Sequence, residues 1–369
     1  MQIMFLIQSM GPSGAERVMA SLANGLTSRG HKIYLRTLNS SMNGSFYQLN
    51  PDVEFLQSVD TWEPRGINSW YINTSLIRKI RMDIVKYAPN IILAFRDQVN
   101  ILAILAAART NLPVVVSERS DPSITPLPLF WRLCRMATYP FATTVVVQSR
   151  EVRDWFPSWI QRKVTVIPNP ISRPRQDPNN VPNTASKRMR MLAVGRLAHQ
   201  KGFDVLLQAF ASLETRFPDW DLEIRGEGPE RSFLEGLREH FGLQNRVFFP
   251  GVTSDIDDSY RHSDLFVMSS RFEGFPNALC EAMAHGLPVV TTSCAGAVRD
   301  FIQQGLNGFL VPAEDPLALS EALAALMQDP NLRQLIGRQA RAVVQDFDKE
   351  LVLNQWEACL DRAFRERSS

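Results

Sequence analysis

The chain has 369 residues, 45% hydrophobic and 21% charged, which leaves room for two domains with a core each and argues against long disorder. Its four cysteines, Cys134, Cys280, Cys294 and Cys359, are scattered with no C-x-x-C pair; this argues against a disulfide framework or a zinc site and suits a reducing compartment. The net charge of +2 divides unevenly: residues 1–185 hold 20 Lys+Arg against 12 Asp+Glu and residues 186–369 hold 20 against 26, or +8 and −6.

The first stretch, "MQIMFLIQSMGPSGAERV", runs from an apolar strand into a turn and a helix start without a basic leader, and reads as strand one of a fold, not a signal peptide. No apolar run reaches the roughly 20 residues of a membrane helix, so a soluble or peripheral chain is expected. A helix "GAERVMASLANGLTSRG" and the strand "KIYLRTL" follow, then "IILAF", "VVVSE", "TTVVVQS" and "VTVIPNP". Such alternation implies a parallel sheet with helices on both faces. Gly11 and Gly14 lie between the first strand and its helix, where helix-start amides suit a phosphate. "FRDQVN" and "SERSDP" follow later strands, so Arg96, Asp97, Glu118, Arg119 and Asp121 either line a cleft or cap their own loops. "PLPLFWRLCRMATYPF" is either a core helix with two surface arginines or an interfacial one using Trp131, Arg132, Arg135 and Phe141.

The Pro- and Asn-rich stretch 168–188 reads as an interdomain linker. After it the alternation restarts: "MLAVGRL", a helix from about Phe203, "DLEIRGEG", a helix near 229–241, "RVFFPG", "DLFVMSS", "LPVVTT" and "GFLVP", with a helical stretch from about 316 to the end. Two doubly wound domains create a cleft, and ligands bind beyond the carboxyl ends of the strands. In "VGRLAHQKGFD", Arg196 offers a fork and Lys201 a point charge suited to a diphosphate, or a solvated basic turn. Gly226 and Gly228 in "IRGEGPE" permit close backbone approach. In "RFEGFPNALCEAMAHG", Pro276 and Asn277 open a helix as N1 and N-cap residues do; Ala278, Leu279, Ala282 and Met283 give it a buried face, and Gly286 stops it. Glu273 before the start and Glu281 a turn inside suit either the hydroxyls of a sugar and a ribose diol, or ordinary helix electrostatics.

Together these residues resemble the retaining family 4 glycosyltransferases of the two-domain GT-B type. The resemblance rests on "SGAERV", "VIPNPI", "GRLAHQKGFD", "GEGPE", the E-x7-E pair in "EGFPNALCE" and "NGFLVP". It implies an α/β fold of two Rossmann-like domains: an acceptor domain at 1–175, a linker at 176–188, a nucleotide-sugar domain at 189–345, and a final helix at 346–369 returning toward the first domain. It further implies that Arg196 and Lys201 hold the diphosphate of a UDP-sugar. Glu273, Gly274, Phe275, Pro276 and Asn277 meet the sugar and distal phosphate, and Glu281 meets the ribose, with Gly14, Gly226 and Gly228 contributing to donor binding. No metal or other cofactor is required.

The first domain is similar to that of transferases extending polyprenyl-diphosphate-linked oligosaccharides, N-acetylgalactosamine transferases among them. Within "SWYINTSLIRKIRMDIVKYAPN", Arg78, Lys79 and Arg81 would contact the lipid diphosphate, unless they form a solvated helix face. Where those relatives carry Ser-Glu-His, this chain has Ser117, Glu118 and Arg119; with Asp97, Glu118 and Arg119 are acceptor-side candidates. The expectation is a cytoplasmic hexosyl- or N-acetylhexosaminyltransferase, peripheral on the inner face of the cytoplasmic membrane, with a glycan acceptor and no nucleic-acid partner. A nucleotide-sugar epimerase and a catalytically silent sugar-nucleotide-binding subunit are the rival readings.

Overall fold

The structure is a computed structural model describing residues 1–39, 44–58, 69–120, 122, 127–171, 174, 188–253, 255–294 and 298–368. The expected linker at 176–188 lies outside the described residues except for Arg188, and Asp121 lies outside them too. The chain divides into one unit of Met1–Pro170 with Glu350–Ser369 and a second of Ile171–Lys349.

The first unit holds β1 (Gln2–Ile7), β2 (Lys32–Thr37), β3 (Glu54–Leu56), β4 (Ile91–Phe95), β5 (Val114–Ser117), β6 (Thr144–Val147) and β7 (Val164–Val166). They form one sheet in the order β3-β2-β1-β4-β5-β6-β7, and every pairing is parallel. The continuous apolar runs are the signature of strands covered on both faces. Alternate residues of β1 go to opposite cores: Ile3, Phe5 and Ile7 pack with the Gly14–Ser28 helix and the Lys349–Ser368 helix. Met4 and Leu6 pack with the helices Ser69–Tyr87, Asp97–Ala107 and Leu129–Thr138. Trp356 closes the first of these cores, fully buried and 5.9 Å between ring centres from Phe95.

The second unit holds β8 (Met189–Val194), β9 (Trp220–Arg225), β10 (Val247–Gly251), β11 (Leu265–Met268), β12 (Val289–Thr292) and β13 (Phe309–Val311). Their order is β10-β9-β8-β11-β12-β13, again parallel. Counted from β8 this is the doubly wound order 3-2-1-4-5-6. Only β10 alternates buried and exposed residues and carries a proline, Pro250, as an edge strand can. Among the described residues no helix is long and apolar enough to cross a membrane.

Trp356→Ala is expected to cost ~3–5 kcal/mol and to speed amide exchange along 350–368. An unchanged urea midpoint would show that the tryptophan does not hold that core.

Candidate functional site

In the second sheet the chain leaves β8 and β11 toward opposite faces, so the two strands, paired through Met191↔Leu265 and Leu192↔Phe266, part at their carboxyl ends. This is the topological switch point where open α/β sheets bind ligands. After β8 come Gly195, Arg196, a 3₁₀ turn His199–Lys201 and the helix Phe203–Ala211; after β11 come residues 269–276 and the helix Asn277–Ala284. Hydrogen bonds stitch the two loops together. Ser269 Oγ donates to the Lys201 carbonyl at 2.9 Å, the Arg271 amide to the Gln200 carbonyl at 2.8 Å, and Gln200 Nε2 to the Phe272 carbonyl at 3.0 Å.

Lys201 Nζ reaches Glu273 Oε1 at 2.5 Å, and Ser270 Oγ donates to the same oxygen at 2.6 Å. Glu273 is buried, so its charge is held by one ammonium and one hydroxyl. Cys294 faces this pair: burial first, then the Glu273 charge, push its thiol up to about 11, far from a nucleophile at neutral pH. Arg196 is exposed and has no hydrogen-bond or ion-pair partner among the described residues. Gly226 and Gly228 press the β9 loop against the β8 loop. A Cβ would fall 1.8 Å from the Gly195 carbonyl oxygen at Gly226, where φ is +150°, and 2.2 Å from that of Leu197 at Gly228.

The helix beginning at Asn277 has Pro276 as its N-cap, one position earlier than expected. Leu279, Ala282 and Met283 are buried, Ala278 is half-buried, and Gly286 adopts φ +72° just beyond the helix end. Gly274 and Phe275 belong to the same loop, Phe275 buried against Phe301. Glu281, one turn inside and buried, accepts the Tyr260 hydroxyl at 3.0 Å. Sequence reasoning missed Tyr260, and also Arg271, which grips Asp204 with both terminal nitrogens at 2.9 and 2.8 Å and Glu314 at 2.9 Å. Their signal is spatial, since Arg271 and Asp204 stand 67 residues apart.

The first unit has its own switch point, between β1 and β4. Ser13 is the N-cap of the helix that Gly14 opens, and its hydroxyl turns to the Glu16 carboxylate. Arg96 Nη2 donates to Glu16 Oε1 at 2.8 Å and to Ser13 Oγ at 3.1 Å. This helix start therefore carries a buried carboxylate of its own. Asp97 opens the next helix and accepts the Gln98 amide at 2.8 Å. Arg78 and Lys79 are exposed. Arg81 parts from them: its Nε and Nη2 donate to the Ala106 and Leu105 carbonyls at 3.2 and 3.0 Å, capping the negative end of the 97–107 helix. On the 129–138 helix the expectation is corrected: Trp131 and Arg135 face inward, while Leu129, Phe130, Arg132 and Leu133, with Phe141 beyond, face outward.

Glu118 and Arg119 are neighbours with different surroundings. Glu118 is buried, accepts the Tyr139 hydroxyl and lies 3.7 Å from Arg135; Asn100 Nδ2 donates to the Tyr139 oxygen at 3.0 Å. Burial, then the nearby Asp97 charge, push its carboxyl up to about 7 against the opposing pull of Arg135. Arg119 is half-buried over the Phe95 ring and donates to Asn169 Oδ1 at 2.6 Å.

A carboxyl with a folded pKa raised above its unfolded value favours folding at low pH and loses that contribution as pH rises through the raised value. The loss runs from the ordinary 4.5 to about 7 and is complete at alkaline pH. Glu118→Gln keeps an acceptor for Tyr139 and removes the titration. Its melting temperature relative to the parent is expected to be several degrees higher at pH 8 than at pH 5.5; parallel pH profiles would refute the assignment.

Two family models match in tandem, Glycosyltransferase Family 4 over residues 12–175 and Glycosyl transferases group 1 over 175–343. Among curated relatives, a Campylobacter jejuni α-1,4-N-acetyl-D-galactosaminyltransferase, named for a diphospho-undecaprenol-linked acceptor, is 26% identical over 96% of this chain and 97% of its own. An uncharacterized Haemophilus influenzae glycosyltransferase is 25% identical over 97% and 99%. Among solved structures, a sucrose-phosphate synthase from Thermosynechococcus elongatus aligns over 99% of both chains with a TM-score of 0.85 at 20% identity. Anabaena HepE in complex with UDP-glucose aligns over 98% and 99% with a TM-score of 0.80 at 21% identity. With both domain models in order along the chain and two parallel-sheet Rossmann-like units to match, this protein belongs to the family 4 glycosyltransferases of GT-B type.

Proposed function

We propose that the second unit binds a UDP-sugar and that the enzyme transfers its hexose or N-acetylhexosamine, with retention of configuration, to a hydroxyl of a lipid-linked oligosaccharide or cell-envelope polysaccharide precursor. The observation that carries this reading is the meeting of Lys201, Glu273 and the start of the Asn277–Ala284 helix at the β8/β11 switch point, with Arg196 exposed just past β8 and without a partner among the described residues. Negative charge grows on the leaving diphosphate as the sugar departs, and two cations with helix-start amides stabilise charge that develops there. Glu273 gives one oxygen to Lys201 and Ser270, leaving the other for sugar hydroxyls, and Glu281 takes the ribose. The relatives' names support the substrate classes: the Campylobacter enzyme for an undecaprenol-linked acceptor, the Erwinia amylovora protein AmsD for amylovoran biosynthesis, and HepE for UDP-glucose.

The acceptor belongs to the first unit in this reading, with Asp97 and Arg119 on its side and Arg78 and Lys79 as lipid-phosphate contacts. The outward face of the 129–138 helix, Leu129, Phe130 and Leu133 around Arg132, with Phe141 just past it, is the membrane-facing surface. An apolar stripe beside a cation suits the headgroup boundary of an anionic leaflet, and the first half's charge of +8 draws it there. In this reading the enzyme works at the inner face of the cytoplasmic membrane.

Saturating UDP and one UDP-sugar are expected to raise the melting temperature by about 5 °C, and Lys201→Ala and Glu281→Ala to lose at least half of that shift. No shift with any uridine nucleotide would sink the donor assignment; turnover of the UDP-sugar without acceptor would point to the epimerase instead. Vesicles of phosphatidylcholine with phosphatidylglycerol are expected to retain the protein at low salt and to release a Phe130→Ser/Leu133→Ser variant. No retention of the parent protein would end the membrane proposal.

A further inference from the structure

Arg119 lies two residues beyond β5, with its guanidinium carbon 3.8 Å from the centre of the Phe95 ring and 5.5 Å from that of Trp356. Nη1 donates to Asn169 Oδ1 at 2.6 Å, and Gln148 Nε2 donates to that same oxygen at 2.7 Å. Stacking and this shared acceptor fix the plane and the direction of the fork. The other two nitrogens, Nε and Nη2, are buried and meet no acceptor among the described residues. No carboxylate pairs with Arg119 among the described residues, and burial alone pulls its pKa down, to about 9, which leaves it charged at neutral pH.

Nε and Nη2 share one edge of a guanidinium, and at two other arginines of this protein that edge grips a carboxylate. Arg36 holds Asp83 through Nε and Nη2, both at 2.7 Å, and Arg188 holds Asp221 through the same pair at 2.8 and 2.6 Å. Two arginines that are buried more deeply have polar partners: Arg135 has Glu118 nearby, although its Nε also lacks an acceptor among the described residues, and Arg246 has Asp221 and the Trp220 carbonyl. A fixed, desolvated guanidinium whose bidentate edge is unmatched costs stability. The ring face beneath it returns part of that cost but leaves in-plane N–H groups unserved.

We propose that Arg119 is a preformed oxyanion-binding group, presenting Nε–H and Nη2–H to a phosphate or carboxylate carried by the acceptor. The acceptor is then anionic at the part that meets β5, and Asn169 and Phe95 are the positioning residues that aim the fork. The proposal rests on the reading of the first unit as the acceptor side. Two sources share this chemistry, the diphosphate of a prenyl-linked acceptor and the carboxylate of an acidic sugar.

Calorimetric titration of the full chain, saturated with UDP, with geranyl diphosphate and separately with methyl glucuronide separates them. Arg119→Met keeps an unbranched stem against Phe95 without the charge, and Arg119→Lys keeps the charge without the fork. One of the two anions is expected to bind the Met variant at least about tenfold more weakly and the Lys variant with an intermediate loss. Loss for geranyl diphosphate identifies a lipid phosphate, and loss for the glucuronide an acidic sugar. Arg196 and Lys201 are common to all the proteins, so the difference belongs to Arg119; the Lys variant carries the comparison if the Met variant does not fold. Affinities within about twofold across the three proteins, or no binding of either anion to the parent, overturn the proposal, and a lowered melting temperature alone assigns Arg119 to packing. UDP affinity from the same samples reads the donor assignment separately: its absence strikes that assignment and leaves the Arg119 comparison standing in UDP-free titrations.

Discussion

A lysine ammonium 2.5 Å from a buried carboxylate is the contact around which the end of the second sheet is arranged. Neither charge is tolerable there alone, since removing one partner leaves the other desolvated and unpaired, a larger penalty than losing both. Lys201 must therefore come back over Gly195, close enough that a Cβ on that glycine would lie 3.0 Å from its Cε. Gly202 must then turn through φ +60° against the Ser269 carbonyl, and the 269–276 loop must pass directly beneath. Arg271 locks the arrangement from outside through Asp204 and Glu314. The start of the 277–284 helix is thus aimed by an ion pair.

The two sheets share a strand order around their switch points yet differ in electrostatics there. In the first unit a helix start is answered internally, by Glu16 held between Ser13 and Arg96. In the second the carboxylate lies before the helix, already paired, and Arg196 is turned outward. The acidic half of the sequence thus carries an exposed arginine just past a strand end, and the overall charge of a half is no guide to the charge at a strand end. Local geometry decides it, because screening removes the influence of exposed charges beyond about 10 Å.

Much of the architecture was legible because parallel strands covered on both faces are unbroken apolar runs, as in Ile91–Phe95 and Val289–Thr292. The three-residue β3, Glu54–Leu56, is too short and too polar to declare itself. The loops that meet at β8 and β11 were legible as a set, since glycines, cations and carboxylates cluster within a few residues of apolar strands. Their internal wiring was not: Tyr260 on Glu281, Ser270 on Glu273 and Asp204 on Arg271 join residues distant along the chain or of no distinctive pattern. Charged residues misled where tertiary packing overrode their usual preference for water. Glu118 and Arg135 sink into the core as partners of Tyr139 and of one another, and Arg81 spends its fork on a helix end.

The position of Trp356 bears on the order in which the protein is made. The first unit's core contains Val352, Leu353, Trp356, Cys359 and Leu360, which leave the ribosome only after all of 171–349. Growing chains ordinarily complete their domains from the amino end. Here the second unit is the first to have all of its residues, while the sheet begun by the earliest residues waits, with one apolar face covered only in part by the Gly14–Ser28 helix, for the helix that completes it. Until residues 352–360 emerge, that part of the core has no partner from its own chain.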